Sequence, residues 1–281
     1  MREKIYTFGP SGSIVGILTE PDPALARPGA PVIIASNVGL NHRVGPFRAY
    51  VSLARDLAKA GYSMLRFDLS GMGDSEPRHD NHIEIERAVL DVKDAMQALT
   101  QRLGARTFVQ LGFCSGVDSA HAVAIEDPRV VGAIFIEGYS FPTAQFYARR
   151  YLKRPWSRRL WRRYWLRTLA RLFPGANPPI REAGEAVEIY SRSYPTRQQL
   201  AQDYTAMARR GVGMLFVYSG GYGSDHAKNY AGQFFDMFPT LRGEPRIEVE
   251  YFEKADHVFT ILADREKLLA RIKGWMQAHF P

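Results

Sequence analysis

Val109-Gln110-Leu111-Gly112-Phe113-Cys114-Ser115-Gly116-Val117-Asp118 is the stretch on which the reading of this chain turns. An apolar run from Thr107 to Leu111 enters a turn of the form small-x-nucleophile-x-small. Helical spacing begins at once beyond it, with Val117, Ala120, Ala122 and Val123. Such a strand-to-helix turn holds its central residue in a strained backbone conformation, so the residues two places away on either side must be small. Gly112 and Gly116 meet that need. The central position is Cys114, the only cysteine of the chain, and Ser115 stands one place too late to be the nucleophile. The competing reading is a Gly-x-x-x-Gly turn of the Rossmann kind with a buried, inert thiol.

The surrounding pattern favours the first reading. Short apolar runs alternate with helical ones along the chain. The expected strands are Ile5–Phe8 and Ile14–Leu18 as a hairpin, then Pro31–Ser36, Tyr62–Leu69, the run into Cys114, Val130–Ile136, Val212–Tyr218 and Ile247–Phe252. Helices are expected from Phe47 to Ala60, over residues 84–103, after the elbow, and from Asp264 to Met276. Strands and helices in this alternation imply βαβ crossovers and a mostly parallel sheet, an α/β fold with helices on both faces. Ligands bind beyond the carboxyl ends of such strands, so functional residues belong just after them.

A cysteine nucleophile in acyl transfer needs a base, and the base needs a carboxylate to orient it. His257, in Ala255-Asp256-His257-Val258-Phe259 beyond the last strand, stands where the base belongs. Asp225, in the glycine-rich loop after Tyr218, is the expected acid, with Glu137 at the end of the strand after the elbow as its substitute; Asp256 adjoins the histidine too closely to reach its ring. The oxyanion hole is expected from the backbone N–H of Ser115 and that of Gly39 or Leu40, in the turn after Ser36. The dipole of the helix behind the elbow favours a thiolate at Cys114. His42 and Arg43 follow that turn and either line the pocket entrance or hold the loop.

With these residues assembled, the sequence resembles the α/β-hydrolase superfamily over its whole length. The segments His42-Arg43-Val44-Gly45-Pro46-Phe47-Arg48 and Leu65-Arg66-Phe67-Asp68-Leu69-Ser70-Gly71-Met72-Gly73-Asp74-Ser75 are similar to the hydrolases associated with exosortase systems, which also carry cysteine at the nucleophile position. Gly-x-Cys-x-Gly elbows in dienelactone hydrolases and polyhydroxyalkanoate synthases are similar in the elbow alone. Ser115-Gly116 departs from the exosortase-associated pattern, where an acidic residue is common after the cysteine. The resemblance implies acyl chemistry, and leaves the substrate open.

Charge sets one segment apart. The chain has 281 residues and a formal net charge of +8, yet eleven Lys or Arg and no Asp or Glu fall between Gly138 and Arg181. In the α/β-hydrolase fold an insertion here forms the cap over the active site. The expected division is therefore a core of residues 1–138 and 211–281, with a basic helical cap at 139–210. Within the cap, Leu160, Trp161, Tyr164, Trp165, Leu169 and Leu172 recur at helical spacing, with arginines between them, and Trp161 and Trp165 are candidates for the substrate side. The basic face could be solvated, could dock an acidic acyl carrier protein or a coenzyme A thioester, or could lie on lipid phosphates at a membrane surface. No nucleic-acid-binding module is evident.

The remaining features narrow the class. A lone cysteine excludes an internal disulfide. Met1–Tyr6 has no apolar core of a signal peptide, and no run is long enough to span a membrane, so the expectation is a cytoplasmic protein, with a peripheral place at the inner membrane surface as the variant the basic segment allows. No Gly-x-x-x-x-Gly-Lys-Ser/Thr loop is present, Gly71-Met72-Gly73 lacks a third glycine at the offset a dinucleotide turn needs, and the seven histidines show no metal-ligand spacing. Neither cofactor nor metal is expected. The substrate expected is a small-molecule ester or thioester. The acceptor is open: water gives an esterase or thioesterase, and an alcohol or amine gives an acyltransferase. A non-catalytic binding protein on the same fold is the reading from another class.

Overall fold

The computed structural model describes residues 1–39, 41–152, 194–220 and 229–281, together with Arg162 and Trp165. Eight strands form one sheet: β1 (Arg2–Phe8), β2 (Ile14–Glu20), β3 (Val32–Ser36), β4 (Met64–Phe67), β5 (Phe108–Phe113), β6 (Val130–Ile136), β7 (Gly213–Ser219) and β8 (Ile247–Phe252). Their spatial order is β1-β2-β4-β3-β5-β6-β7-β8. The β1–β2 hairpin runs antiparallel and β2 meets β4 antiparallel, whereas every pairing from β4 to β8 is parallel. The chain leaves β3 toward β4 on one side and returns to place β5 on the other. Strand order therefore reverses at β3, and the crevice at such a switch point is where open α/β sheets bind ligands.

Helices cover both faces because the strands are apolar on both. Along β3, Ile34 packs toward one face while Ile33 and Ala35 pack toward the other. The first face is covered by α2 (Glu84–Leu103), α3 (Gly116–Glu126) and, beyond the basic segment, α5 (Arg197–Arg209). Val92, Met96 and Leu99 of α2, Val117 and Val123 of α3, and Leu200, Tyr204 and Met207 of α5 share one core with Phe108 and Phe135. The opposite face is covered by α1 (Ala49–Lys59) and α7 (Leu262–His279), where Tyr50, Leu53 and Leu57 meet Leu268, Ile272 and Trp275. Both helices carry their apolar residues three and four apart, the spacing that puts them on one side.

Two shorter α-helices are α4 (Ala144–Leu152) and α6 (Gln233–Met237). Most of the segment expected as a cap, residues 153–161, 163–164 and 166–193, lies outside the described residues. No helix among the described residues is long and apolar enough to cross a membrane.

Candidate active site

β5 ends at Phe113 and α3 begins at Gly116, leaving two residues to reverse the chain. Cys114 takes up the reversal with φ at 52°, in the left-handed region that a non-glycine residue enters at a cost of about 1 to 3 kcal/mol. Hydrogen bonds on both sides hold it there. The Cys114 N–H donates to the Ile136 carbonyl at 2.8 Å, Val117 N–H to the Cys114 carbonyl at 3.2 Å, and Asp118 N–H to the Ser115 carbonyl at 3.1 Å. The requirement for small neighbours is visible in the packing. A Cβ added to Gly112 would stand 2.6 Å from the Gly116 carbonyl oxygen and from the Val117 Cα, both backbone atoms that cannot move aside. Ser115 lies beyond the strained position with ordinary helical backbone angles.

His257 reaches the elbow from the loop after β8. Asp256 shapes that loop by accepting the N–H groups of Val258 and Thr260, each at 3.0 Å, which occupies its carboxylate with its own turn. The imidazole stands edge-on to Phe113, ring centres 6.3 Å apart. One side of the ring is hydrogen-bonded to the Cys114 side chain. On the other, Nδ1 lies 3.0 Å from Oε2 of Glu137. These two partners, Cys114 first and Glu137 second, push the imidazole up to about 10 from its ordinary 6.5, against the opposing pull of burial. The histidine is therefore held in its charged form between a sulfur and a carboxylate.

Glu137 is the first residue after β6 and, like Cys114, has a left-handed backbone, φ 53°. It is only 7% exposed. The Ser219 N–H at the end of β7 donates to Oε1, and Asn229 Nδ2 donates to Oε2 at 3.3 Å. A buried carboxylate with donors on both oxygens and an imidazolium beside it is fixed in orientation and supplied with compensating charge. Among the described residues the carboxylate beside Nδ1 is Glu137, the substitute acid; Asp225 lies outside the described residues.

The turn after β3 comes to the elbow from the other side. Asn37 ties it down, its Oδ1 accepting from Leu69 N–H at 3.0 Å and its Nδ2 donating to the Gly39 carbonyl at 2.7 Å. The Gly39 N–H points at the elbow and donates to Ser115 Oγ at 2.8 Å. Leu40, the alternative donor, lies outside the described residues. A cavity of about 340 Å³ opens here, lined by Gly39, Ser70, Met72, Glu84, Ser115 and Asp118 among others; Ser115 and Gly116 face it, and Cys114 does not.

Arg43 holds the loop rather than reaching into this space. Its guanidinium donates to Asp68 through Nη1 and to Asp74 through Nη2, the latter at 2.6 Å, while its backbone N–H reaches Asp68 Oδ1 at 2.6 Å. His42 Nδ1 stands 3.5 Å from Asp68 Oδ2. Gly73 is obligatory at this clamp, since φ is 55° and a Cβ would fall 2.4 Å from Asp68 Oδ2. Donor atoms of His42, Asp68 and Asp74 lie within 4.8 Å of one another, the one such group that could hold a metal among the described residues. The Arg43 guanidinium already supplies to both carboxylates the positive charge that a bound cation would bring. Trp165 is 57% exposed, and Trp161 lies outside the described residues.

Asn37 and Asn229 carry no motif in the sequence. Asn37 could have been singled out by its place, directly after a strand at the switch point; Asn229 had no such signal.

The family described as serine aminopeptidase, S33, matches residues 36–235, well over half of the chain. No curated protein matches the sequence. Among solved structures, an esterase of Pyrococcus furiosus aligns over 100% of this chain and 92% of its own at 14% identity, with a TM-score of 0.60. The esterase domain of a Rhodothermus marinus protein aligns over 99% of both chains at 17% identity, TM-score 0.56. A protein of Xanthomonas campestris described as an α/β serine hydrolase without a lid aligns over 99% of this chain and 93% of its own at 15% identity, TM-score 0.54. The fold is that of the α/β-hydrolases.

Proposed function

The chain belongs to the serine aminopeptidase S33 family, and from that premise we propose that it cleaves esters or thioesters through a covalent thioester on Cys114, with His257 as base and acid and Glu137 as the orienting carboxylate. The observation that carries this is the line of three groups from three strand ends. A sulfur on a left-handed turn meets an imidazole held at about 10, which is in turn 3.0 Å from a buried carboxylate. A family named for serine chemistry has cysteine at its elbow here, and the charged imidazole suits that change. A serine needs a neutral histidine to take its proton, whereas a thiolate needs a cation beside it and can attack directly.

In the first half-reaction the Cys114 sulfur attacks the substrate carbonyl carbon and the carbonyl π pair moves to oxygen. The tetrahedral adduct collapses with re-formation of C=O, and the leaving alkoxide or thiolate takes the His257 proton. The neutral imidazole then draws a proton from the acceptor as it attacks the thioester, and Cys114 departs as thiolate. Glu137 keeps Nδ1 protonated and Nε2 aimed at the sulfur throughout. A thioester or activated ester is the favoured donor because exchange between sulfur leaving groups is nearly level in energy, whereas expulsion of an amine is not. The basic segment before Arg181 supplies charge for a carrier protein, a coenzyme A phosphate or a lipid surface.

Intact-protein mass spectrometry tests the reading. The protein is incubated with a panel of acyl thioesters and p-nitrophenyl esters beside Cys114→Ala and His257→Ala. An adduct of acyl mass on Cys114 that is missing from Cys114→Ala is the expected result, and its lifetime with added alcohols or amines separates hydrolysis from transfer. Turnover that survives Cys114→Ala would remove the cysteine from the mechanism.

A further inference from the structure

The Ser115 hydroxyl oxygen accepts the Gly39 N–H, one of the donors expected for a substrate oxygen. Two N–H groups are expected to meet the oxyanion, that of Ser115 itself and that of Gly39 or Leu40, and of the latter pair Gly39 lies within the described residues. The Gly39 N–H is already donated, to Ser115 Oγ at 2.8 Å. Serine at the start of a helix ordinarily turns its hydroxyl onto the N–H groups of the first turn. Here it caps nothing, although it stands at the cap position of α3. The side chain is turned away from its own helix and across to the β3 turn. A backbone N–H has one proton to give, so while Oγ holds it a carbonyl oxygen cannot.

We propose that Ser115 is a gate on the oxyanion hole: its hydroxyl fills the hole in the resting enzyme and swings out when the acyl substrate enters. The proposal rests on the acyl chemistry assigned to Cys114. Two features of the site favour a moving hydroxyl over a fixed one. Ser115 and Gly39 both line the cavity of about 340 Å³ beside the elbow, so rotation about χ1 has open space to enter. The same walls carry acceptors for a displaced hydroxyl, among them Ser70, Asp118 and Ser119. The alternative, in which the hydroxyl stays and donates its own proton to the oxyanion, requires the substrate oxygen to sit beyond Oγ and out of reach of Gly39.

The gate acts on one step. When the Cys114 sulfur bonds to the carbonyl carbon, the π pair that moves to oxygen needs the Gly39 proton, and Ser115 must release it. One hydrogen bond is exchanged for another, so the closed state slows acylation by roughly the value of a single neutral bond, about three- to tenfold. Alkylation of the same sulfur by iodoacetamide breaks a C–I bond and develops no oxyanion, so the gate leaves it untouched.

The test compares the protein with Ser115→Ala, which removes one oxygen from a half-buried residue and leaves the elbow backbone alone. Single-turnover acylation of Cys114 by a p-nitrophenyl ester is expected to speed up about three- to tenfold in Ser115→Ala, while the iodoacetamide rate stays the same. Amide hydrogen exchange at Gly39, read by NMR without substrate, is expected to quicken in parallel. Slower acylation in Ser115→Ala would make the hydroxyl a donor and overturn the gate, as would an unchanged rate. Unchanged exchange at Gly39 would overturn it independently of any chemistry. If neither protein acylates while iodoacetamide still labels Cys114, the acyl reading itself falls, and the exchange result shows whether the Ser115–Gly39 bond was correctly placed.

Discussion

His257 Nδ1 lies 3.0 Å from Glu137 Oε2, although the two residues are 120 positions apart and their strands, β8 and β6, are separated in the sheet by β7. The carboxylate arrives from directly beside the elbow, because β6 is the immediate neighbour of β5. Its backbone is left-handed, and its side chain reaches the end of β7, where it accepts the Ser219 N–H.

Glu137→Gln keeps the shape and removes the charge. The expected result is a loss of kcat on the order of 10²- to 10⁴-fold, the scale seen when a triad acid becomes an amide and presents the wrong tautomer. Substrate KM should change far less. Steady-state kinetics on the ester of the panel with the fastest turnover, with Asp225→Asn in parallel, assigns the acid. The larger loss belongs to Glu137; the opposite order would return the role to Asp225.

The raised pKa of His257 sets a pH signature. Its proton is bound more tightly in the folded protein, at about 10 against 6.5 for the free side chain. The contribution of this group to stability is therefore fully present below about pH 6.5 and is lost as pH rises through about 10. Thermal melts of wild type and His257→Gln should differ most at the acid end of this window and converge toward its alkaline end. The same deprotonation removes the acid needed by the leaving group, so kcat/KM should fall above about pH 10. In Glu137→Gln that fall should begin at lower pH, since one of the two partners that raise the imidazole is gone. A gap between the melts that widens with pH would contradict the charged-histidine resting state.

The alternation of apolar runs was enough to read the strands, because the inner strands are buried on both faces and leave little choice of residue. β6 and β8 begin and end where the sequence places them, at Val130–Ile136 and Ile247–Phe252. Cys114 and His257 could be picked as candidates for a related reason: each lies in a loop beyond a strand end, in the order that the proposed acyl chemistry needs. The acid was harder. Glu137 and Asp225 both follow strands, and which one meets Nδ1 depends on the backbone angle at Glu137, on Ser219 and on Asn229, none of which leaves a periodic trace. The Ser115–Gly39 bond was invisible as well, because a side-chain rotamer is chosen by a partner 76 positions away.

Gly112→Ala tests the elbow as a piece of packing. The new Cβ would press against two backbone atoms at 2.6 Å, and both belong to the first turn of α3, which is fixed by the hydrogen bonds of the turn. Overpacking of this kind costs about 1 to 3 kcal/mol, and relief would come from lifting α3 away from the sheet. The variant should show a lower denaturant midpoint and, in the fraction that remains folded, slower alkylation of Cys114 as the sulfur loses its alignment with His257. Equal stability and equal thiol reactivity would mean that the turn is looser than its geometry implies.

Arg43 offers the sharpest separation of loop-holding from substrate contact. Asp68 is completely buried, with Arg43 as its cationic partner, whereas Asp74, at the far end of the same guanidinium, is 57% exposed. Removing one member of a buried pair leaves the other charged and uncompensated, which costs about 3 kcal/mol or more. An exposed pair is worth little. Arg43→Met should therefore lower the urea midpoint strongly and Asp74→Asn hardly at all, although both delete a hydrogen bond to the same clamp. Because the Asn37–Gly39 turn precedes this clamp, Arg43→Met should also lower kcat while leaving the iodoacetamide rate of Cys114 unchanged, since alkylation does not use the oxyanion donors. A rise in KM with stability intact would place Arg43 against the substrate instead.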